Sequence, residues 1–218
     1  TTIDSVMRFP ASKEMIFGVY AADRSTSIRT TFLRSTGQGN FTEGRRDTRS
    51  LYETDRFTAL SSDLRYNAFY RENASGASSS FSFIRLIQND AEATRGVLKG
   101  FVLISLPEMY YILSESLYDT DKTEAINLLN QVRKSRGLGN VDAANVATRE
   151  LFEQEMMRER MREFSGMGQT FYALKHCNRS FTDFRNIDTY QPSDAIFKLP
   201  WPDRENEYGD EKVYKLQN

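Results

Sequence analysis

The sequence predicts a mainly α protein of tetratricopeptide-like helical hairpins, with long irregular loops and a few short β-strands. Two observations carry that expectation. From Ser105 onward, apolar residues recur at three- and four-residue steps between capping residues, as amphipathic helices require. Before Ser105 the chain breaks into short apolar runs separated by stretches rich in Ser, Thr, Gly and Asn, the texture of strands and turns. A division follows: 1–104 is a loop-rich region with short strands and the ligand-facing part, and 105–218 is a helical region with an extended tail.

In the first region, Met15 to Tyr20 (MIFGVY) and Phe81 to Ile87 (FSFIRLI) have the length and content of strands. Between them, Arg24 to Asp55 reads as loop, with Thr36-Gly-Gln-Gly-Asn40 as turn material. The segment Asp55 to Tyr70 carries Phe57, Leu60, Leu64, Tyr66 and Phe69, and is expected to pack as a short helix and an extended arm. Asn73 to Ser80 is small and polar throughout, which predicts a flexible connector.

The second region opens on Ser105-Leu-Pro-Glu108, the form of a capping box with proline in the first turn. Leu106, Met109, Tyr110, Leu113 and Leu117 then fall on one helical face, the expected core stripe. Asp121 to Glu124 repeats the cap pattern before Ala125, Leu128, Leu129 and Val132; Arg133, Lys134 and Arg136 close the helix ahead of Gly137. Ser105 to Gly137 is about one helix-turn-helix repeat of the tetratricopeptide kind, ~34 residues.

Thr148 caps a third helix striped by Phe152, Met156, Met157, Met161 and Phe164. Its Glu155–Arg158 and Glu159–Arg162 pairs are expected on a solvated face. Ser165-Gly-Met-Gly168 breaks the helix, and the glycines are expected to turn the chain so that Phe164, Phe171 and Leu174 meet. In the tail, two prolines bracket the single Trp201, which is expected to lie tucked against the surface.

Composition removes several functions. With 29 Lys+Arg against 30 Asp+Glu the net charge is -1, so no overall field draws the chain to nucleic acid or an anionic membrane. One Cys, Cys177, excludes an internal disulfide, and with His176 the only histidine no Cys/His set exists for zinc. Adjacent in a helix, the two point about 100° apart and do not form a nucleophile pair. Glu155 and Glu159 share a face as acid–base catalysts do, but each has an arginine within one turn, the mark of an ion-paired surface. No phosphate loop and no nucleophile elbow occurs, and no cofactor is expected.

Aromatic residues in the loop-rich half are the better lead. Flat rings stack on the apolar faces of sugars while Arg, Asn and Asp beside them bond hydroxyls. Phe41, Arg45, Arg46, Asp47 and Tyr52 make such a mixture, and Phe41, Arg45, Asp47 and Tyr52 are the candidate ligand-binding residues.

Leu106-PEMYYILSES-Ser116, Ala125-INLLNQVRKSRG-Gly137, Arg158-ERMREFSGMGQTFYALK-Lys175 and Phe197-KLPWPDRE-Glu205 occur in that order. Together they resemble the C-terminal half of the SusD/RagB family, surface lipoproteins of Bacteroidetes-type outer membranes. Met15-IFGVY and Ser62-DLRY also look like the family. Met167 departs from the glutamate common there, and Tyr172-Ala-Leu from the commoner Trp-x-Asp-Leu.

The resemblance implies a SusD-like α/α superhelix without enzymatic activity, which binds an oligosaccharide or peptide and caps a SusC-like TonB-dependent transporter. It also implies a longer protein with a signal peptide, a lipid-bearing Cys and an N-terminal helical repeat region, so that the only membrane attachment is an anchor outside this chain. The alternatives are a repeat scaffold that captures peptide or protein partners and a carbohydrate-active enzyme.

Overall fold

The computed structural model describes residues 13–20, 51–52, 63–75, 78–83, 85, 100–178, 180–182 and 188–198. In chain order the elements are β1 (Met15–Tyr20), α1 (Leu64–Phe69), β2 (Tyr70–Ser75), β3 (Ser78–Phe83), β4 (Gly100–Ser105), α2 (Leu106–Leu117) and α3 (Lys122–Ser135). A 3-10 turn (Ala143–Val146), α4 (Arg149–Glu163), α5 (Gln169–Cys177), β5 (Phe181–Thr182), β6 (Thr189–Tyr190) and α6 (Asp194–Phe197) complete them. Among the described residues helix predominates, and the strands form three two-stranded antiparallel ribbons: β1 with β4, β2 with β3, and β5 with β6.

In the expected connector at Asn73–Ser80, Asn73–Ser75 and Ser78–Ser80 are paired strands instead. Tyr70 lies opposite Phe83 and Ser75 opposite Ser78, so ladder bonds take up backbone groups that low side-chain hydrophobicity had suggested were solvated. The packing of Tyr70 and Phe83, ring centres 5.3 Å apart, holds the ribbon's base. Trp201 lies outside the described residues.

The caps of α3 and α4 are as the sequence predicts: the Asp121 carboxylate accepts from Glu124 N–H at 3.0 Å, and the Thr148 hydroxyl from Leu151 N–H at 3.3 Å. Gly137 at φ 81° turns the chain out of α3. The capping box at α2 does not form. Ser105 is still the last residue of β4, extended opposite Met15, and its hydroxyl makes no cap bond; Leu106 N–H instead donates to the Glu14 carbonyl at 2.8 Å.

The principal core joins Tyr111 and Tyr118 of α2 to Ala125, Ile126, Leu129 and Val132 of α3, Val141 and Val146 of the connection, and Phe152, Met156 and Phe164 at α4. Tyr118 stacks on Phe152 with ring centres 4.2 Å apart, and its hydroxyl donates to the Val146 carbonyl. A second cluster of Leu51, Tyr52, Tyr66, Ala68, Phe69 and Tyr70 packs under β3, with Phe83 and Met161 against it.

The core stripe read for α2 is therefore corrected. Pro107, Tyr111 and Ser114 face inward; of the stripe read from the sequence, Tyr110 and Leu117 pack against the core, while Leu106, Met109 and Leu113 are exposed, along with Ile112. At about 100° per residue the inward face and the Leu106–Met109–Leu113 face lie roughly a third of a turn apart. Ile16, Phe17 and Val19 of β1 and Leu103 and Ile104 of β4 are also exposed, so apolar side chains are uncovered along the β1–β4 ribbon and onto α2.

At the helix break, Gly166 and Gly168 sit at φ 73° and 74°, a region that non-glycine residues adopt only with strain. A Cβ on Gly166 would run into the Phe83 ring, whereas one on Gly168 would meet open space. The turn delivers Phe164 to the core against Tyr111 with ring centres 6.0 Å apart. Phe171 does not join Phe164 as the sequence suggests; it packs on Phe197 at 6.0 Å, because α5 leaves on a new heading.

Two predictions follow from this packing. Gly166→Val is expected to cost at least about 2 kcal/mol, from strain and displacement of Phe83, and Gly168→Ala about 1 kcal/mol from strain alone. Equal melting temperatures for the two variants would contradict the account. Leu113→Glu is expected to change stability by no more than about 0.5 kcal/mol, against about 2–5 kcal/mol for Leu129→Ala. Urea unfolding of each variant checks the comparison.

Candidate functional site

The carboxylates that first suggest chemistry, Glu155 and Glu159, lie inside the protein. Glu155, Glu159 and Glu163 repeat every four residues along the α4 face that also carries Phe152 and Met156, and all five are buried. Glu159 Oε1 accepts from Nη1 of both Arg133 and Arg162 at 2.6 Å, and its Oε2 accepts from Arg65 at 3.1 Å. Arg65 also grips Asp63 (Nη2 to Oδ2, 2.7 Å) and reaches Glu163 at 3.1 Å. Arg136 bonds Glu163 at 2.9 Å and Glu14 at 2.6 Å.

The expectation of a solvated face on α4 is corrected on this point. The arginines that shield Glu155 and Glu159 come from α1 and the end of α3 as well as from α4, and the side chains of Arg65, Arg133, Arg162 and Glu159 are fully buried. Burial alone would raise the Glu159 carboxyl; Arg65, Arg162 and Arg133 outweigh it and hold the group at about 2. Glu163 is likewise lowered against its burial by Arg136 and Arg65. A carboxylate so strongly held in its charged form is a poor general acid, and one bound to three guanidiniums has no lone pair directed at a substrate.

Tyr52 is a wall of this interior. It is completely buried, stands edge-on to Phe69 and Tyr70, and donates to the Arg162 carbonyl at 2.9 Å. Burial pushes its hydroxyl well above the usual tyrosine range. It is tied to the end of α4 and has no open face for a ligand. Phe41, Arg45 and Asp47 lie outside the described residues, as does Arg46. Among the described residues no cluster of metal-ligating side chains occurs.

On the outer side of the helices the structure shows an open groove of about 640 Å³, walled by α2, α4 and α5. Tyr172 stands on one side, 70% exposed, its ring edge-on to Phe171 at 5.6 Å; Ile112 of α2 is an apolar wall residue. Glu115 receives Arg160 at 3.2 Å and lies 3.5 Å from His176 Nε2. Arg149 is held by Glu153 at 2.7 Å, by Asp119 at 3.2 Å and by the Glu115 carbonyl at 3.0 Å. Glu108 also lines the groove, and its Oε2 is closed to solvent with no hydrogen-bond partner among the described residues.

Sequence reasoning overlooked this groove because its residues come from three helices at no common spacing. The signal available was Tyr172 itself, an aromatic directly beside Phe171 after the glycine break.

Comparison with known proteins gives this geometry a context. The family model described as SusD family matches residues 45–215. The chain belongs to the SusD family. Among solved structures, a SusD-like carbohydrate binding protein from Bacteroides vulgatus superposes with TM-score 0.63 at 17% identity, covering 94% of this chain and 49% of that one. Two SusD superfamily proteins from Bacteroides thetaiotaomicron give TM-scores of 0.56 and 0.54, at 17% and 18% identity, and the chain covers 42% and 49% of them. The chain thus spans about half the length of these solved relatives. No match was found among curated proteins.

The electrostatics of the cluster set a pH dependence. Because Glu159 and Glu163 are lowered on folding, the stability they contribute is fully present above the ordinary glutamate value. It is lost as pH falls through their folded values, which for Glu159 is about 2. Acid unfolding followed by circular dichroism is expected to set in below about pH 4.5. Glu159→Gln, which removes the carboxylate that Arg65, Arg133 and Arg162 share, is expected to cost about 3–5 kcal/mol at pH 7. A neutral effect of that substitution would contradict the central role given to Glu159.

Proposed function

We propose that the protein is a non-catalytic surface nutrient-binding protein that captures oligosaccharide and passes it to a SusC-like TonB-dependent outer-membrane transporter. Members of the SusD family are generally non-catalytic binding proteins that work with such transporters, and the chain's membership is the observation that carries the reading. A solved neighbour of the same fold is a SusD-like carbohydrate binding protein. The interior supports it as well: the acid pair that an enzyme reading needs is bonded to buried arginines. In this reading the protein is held at the outer membrane by a lipid anchor, and Phe41, Arg45 and Asp47 contribute to capture.

The exposed apolar surface fits the same reading. Helical repeats bury their faces by stacking on neighbours, and outermost repeats present a polar face. Leu106, Met109 and Leu113 on α2 present an apolar one. In our reading this face, with Phe17 and Leu103 beside it, seats further helical repeats of the kind expected in the other half of the solved relatives' length.

Capture without turnover is the expected behaviour. Calorimetric titration with a panel of oligosaccharides should show saturable binding, and chromatography of the same mixtures after prolonged incubation should return the sugars unshortened. Steady hydrolysis by the purified chain would overturn the reading; capture of peptides alone would replace oligosaccharide as the cargo.

A further inference from the structure

We propose that the groove between α2, α4 and α5 is a saccharide-binding site selective for neutral, hydroxyl-rich chains, with Tyr172 as its stacking platform. The inference rests on the capture reading above and gives it a place and a ligand class. Three features of the groove argue for it together.

The first is the platform. In a chain where Tyr52, Tyr111 and Tyr118 are all buried, Tyr172 is held out at 70% exposure on a nine-residue helix whose Phe171 is anchored on Phe197. An exposed ring on a fixed support offers its face to the apolar C–H surface of a sugar with little ordering cost. Ile112 continues an apolar surface on the opposite wall.

The second is the state of the groove's charges. Arg160 is engaged by Glu115, and Arg149 by Glu153 and Asp119. An anionic ligand would have to displace these carboxylates and approach Glu108 and Glu115, both of its own sign. Phosphate, sulfate and uronate groups are therefore disfavoured, whereas hydroxyls can bond to paired charges without breaking them.

The third is an unmet acceptor. Glu108 Oε2 has no donor among the described residues and is closed to water, so a rotation of the side chain that met a ligand hydroxyl would recover the free energy this burial costs. Gln169 on the facing helix adds an amide able both to donate and to accept. Platform, neutralised charge and acceptor are what a neutral sugar needs.

The test is calorimetric titration of the 218-residue chain with glucose, xylose and mannose hexasaccharides and with hexagalacturonate. At least one neutral hexasaccharide is expected to bind. Tyr172→Ala should weaken that binding about tenfold with an unchanged melting curve, and Tyr172→Phe should retain it. Equal affinity of Tyr172→Ala and the parent chain would overturn the groove as the site while leaving saccharide capture standing. Tighter binding of hexagalacturonate, weakening with salt, would overturn the neutral class. Failure of every saccharide to bind would overturn both this inference and oligosaccharide as the cargo.

Discussion

Glu159 holds the fold together at one point. Its two carboxylate oxygens receive Arg65 from α1, Arg133 from the end of α3 and Arg162 from its own helix, with all four side chains shut off from water. Removing such charges from water is costly, and mutual attraction recovers the cost only when geometry is good and every group is matched. Asp63, Glu155, Glu163 and Glu14 supply the matching carboxylates to the surrounding arginines. Segments far apart in sequence are therefore fixed to one another by position and angle. An apolar contact would tolerate sliding; a guanidinium between two carboxylates does not.

That rigidity accounts for what the outer surface can do. With the inner face of α4 locked, Arg149 and Arg160 on its other sides stand in fixed places along the groove, and Phe164 at its end enters the core beside Tyr111. The two left-handed glycines then set the heading of α5 and so the position of Tyr172. Tyr52 acts from the opposite side, bonded to the Arg162 carbonyl. The same network takes Glu155, Glu159 and Glu163 into structure, while Glu115 and Glu153 are ion-paired at the groove.

The second consequence concerns α2. Its inward face is aromatic and partly polar, with Tyr111 and Ser114, and the Ser114 hydroxyl donates to the Ala125 carbonyl at 2.6 Å to bring α3 close. Its aliphatic residues are left on the outside beside the β1–β4 ribbon. A two-stranded ribbon with exposed apolar residues is a poor end to a fold in water. The arrangement fits the seating of further helical repeats proposed above, and the solved relatives are about twice as long.

Much of the helical half was legible in the sequence, because caps and breaks are local. Asp121, Thr148, Gly137 and the glycine pair at 166 and 168 determine helix ends through bonds and backbone angles within a few residues, and motif order alone identified the family. The stripe of α2 was misread because a helix apolar on two sides has no unique inward face until its partner is known. The acids of α4 were misread for a related reason. Glu155, Glu159 and Glu163 at four-residue steps, in line with Phe152 and Met156, already marked an inward face, but local arginines offered a sufficient solvated explanation. Only tertiary structure brings Arg65 and Arg133 across 94 and 26 residues of sequence to Glu159. Charge burial depends on partners distant in the chain, whereas helix capping depends on neighbours; that difference separates what the sequence by itself determined from what folding decided.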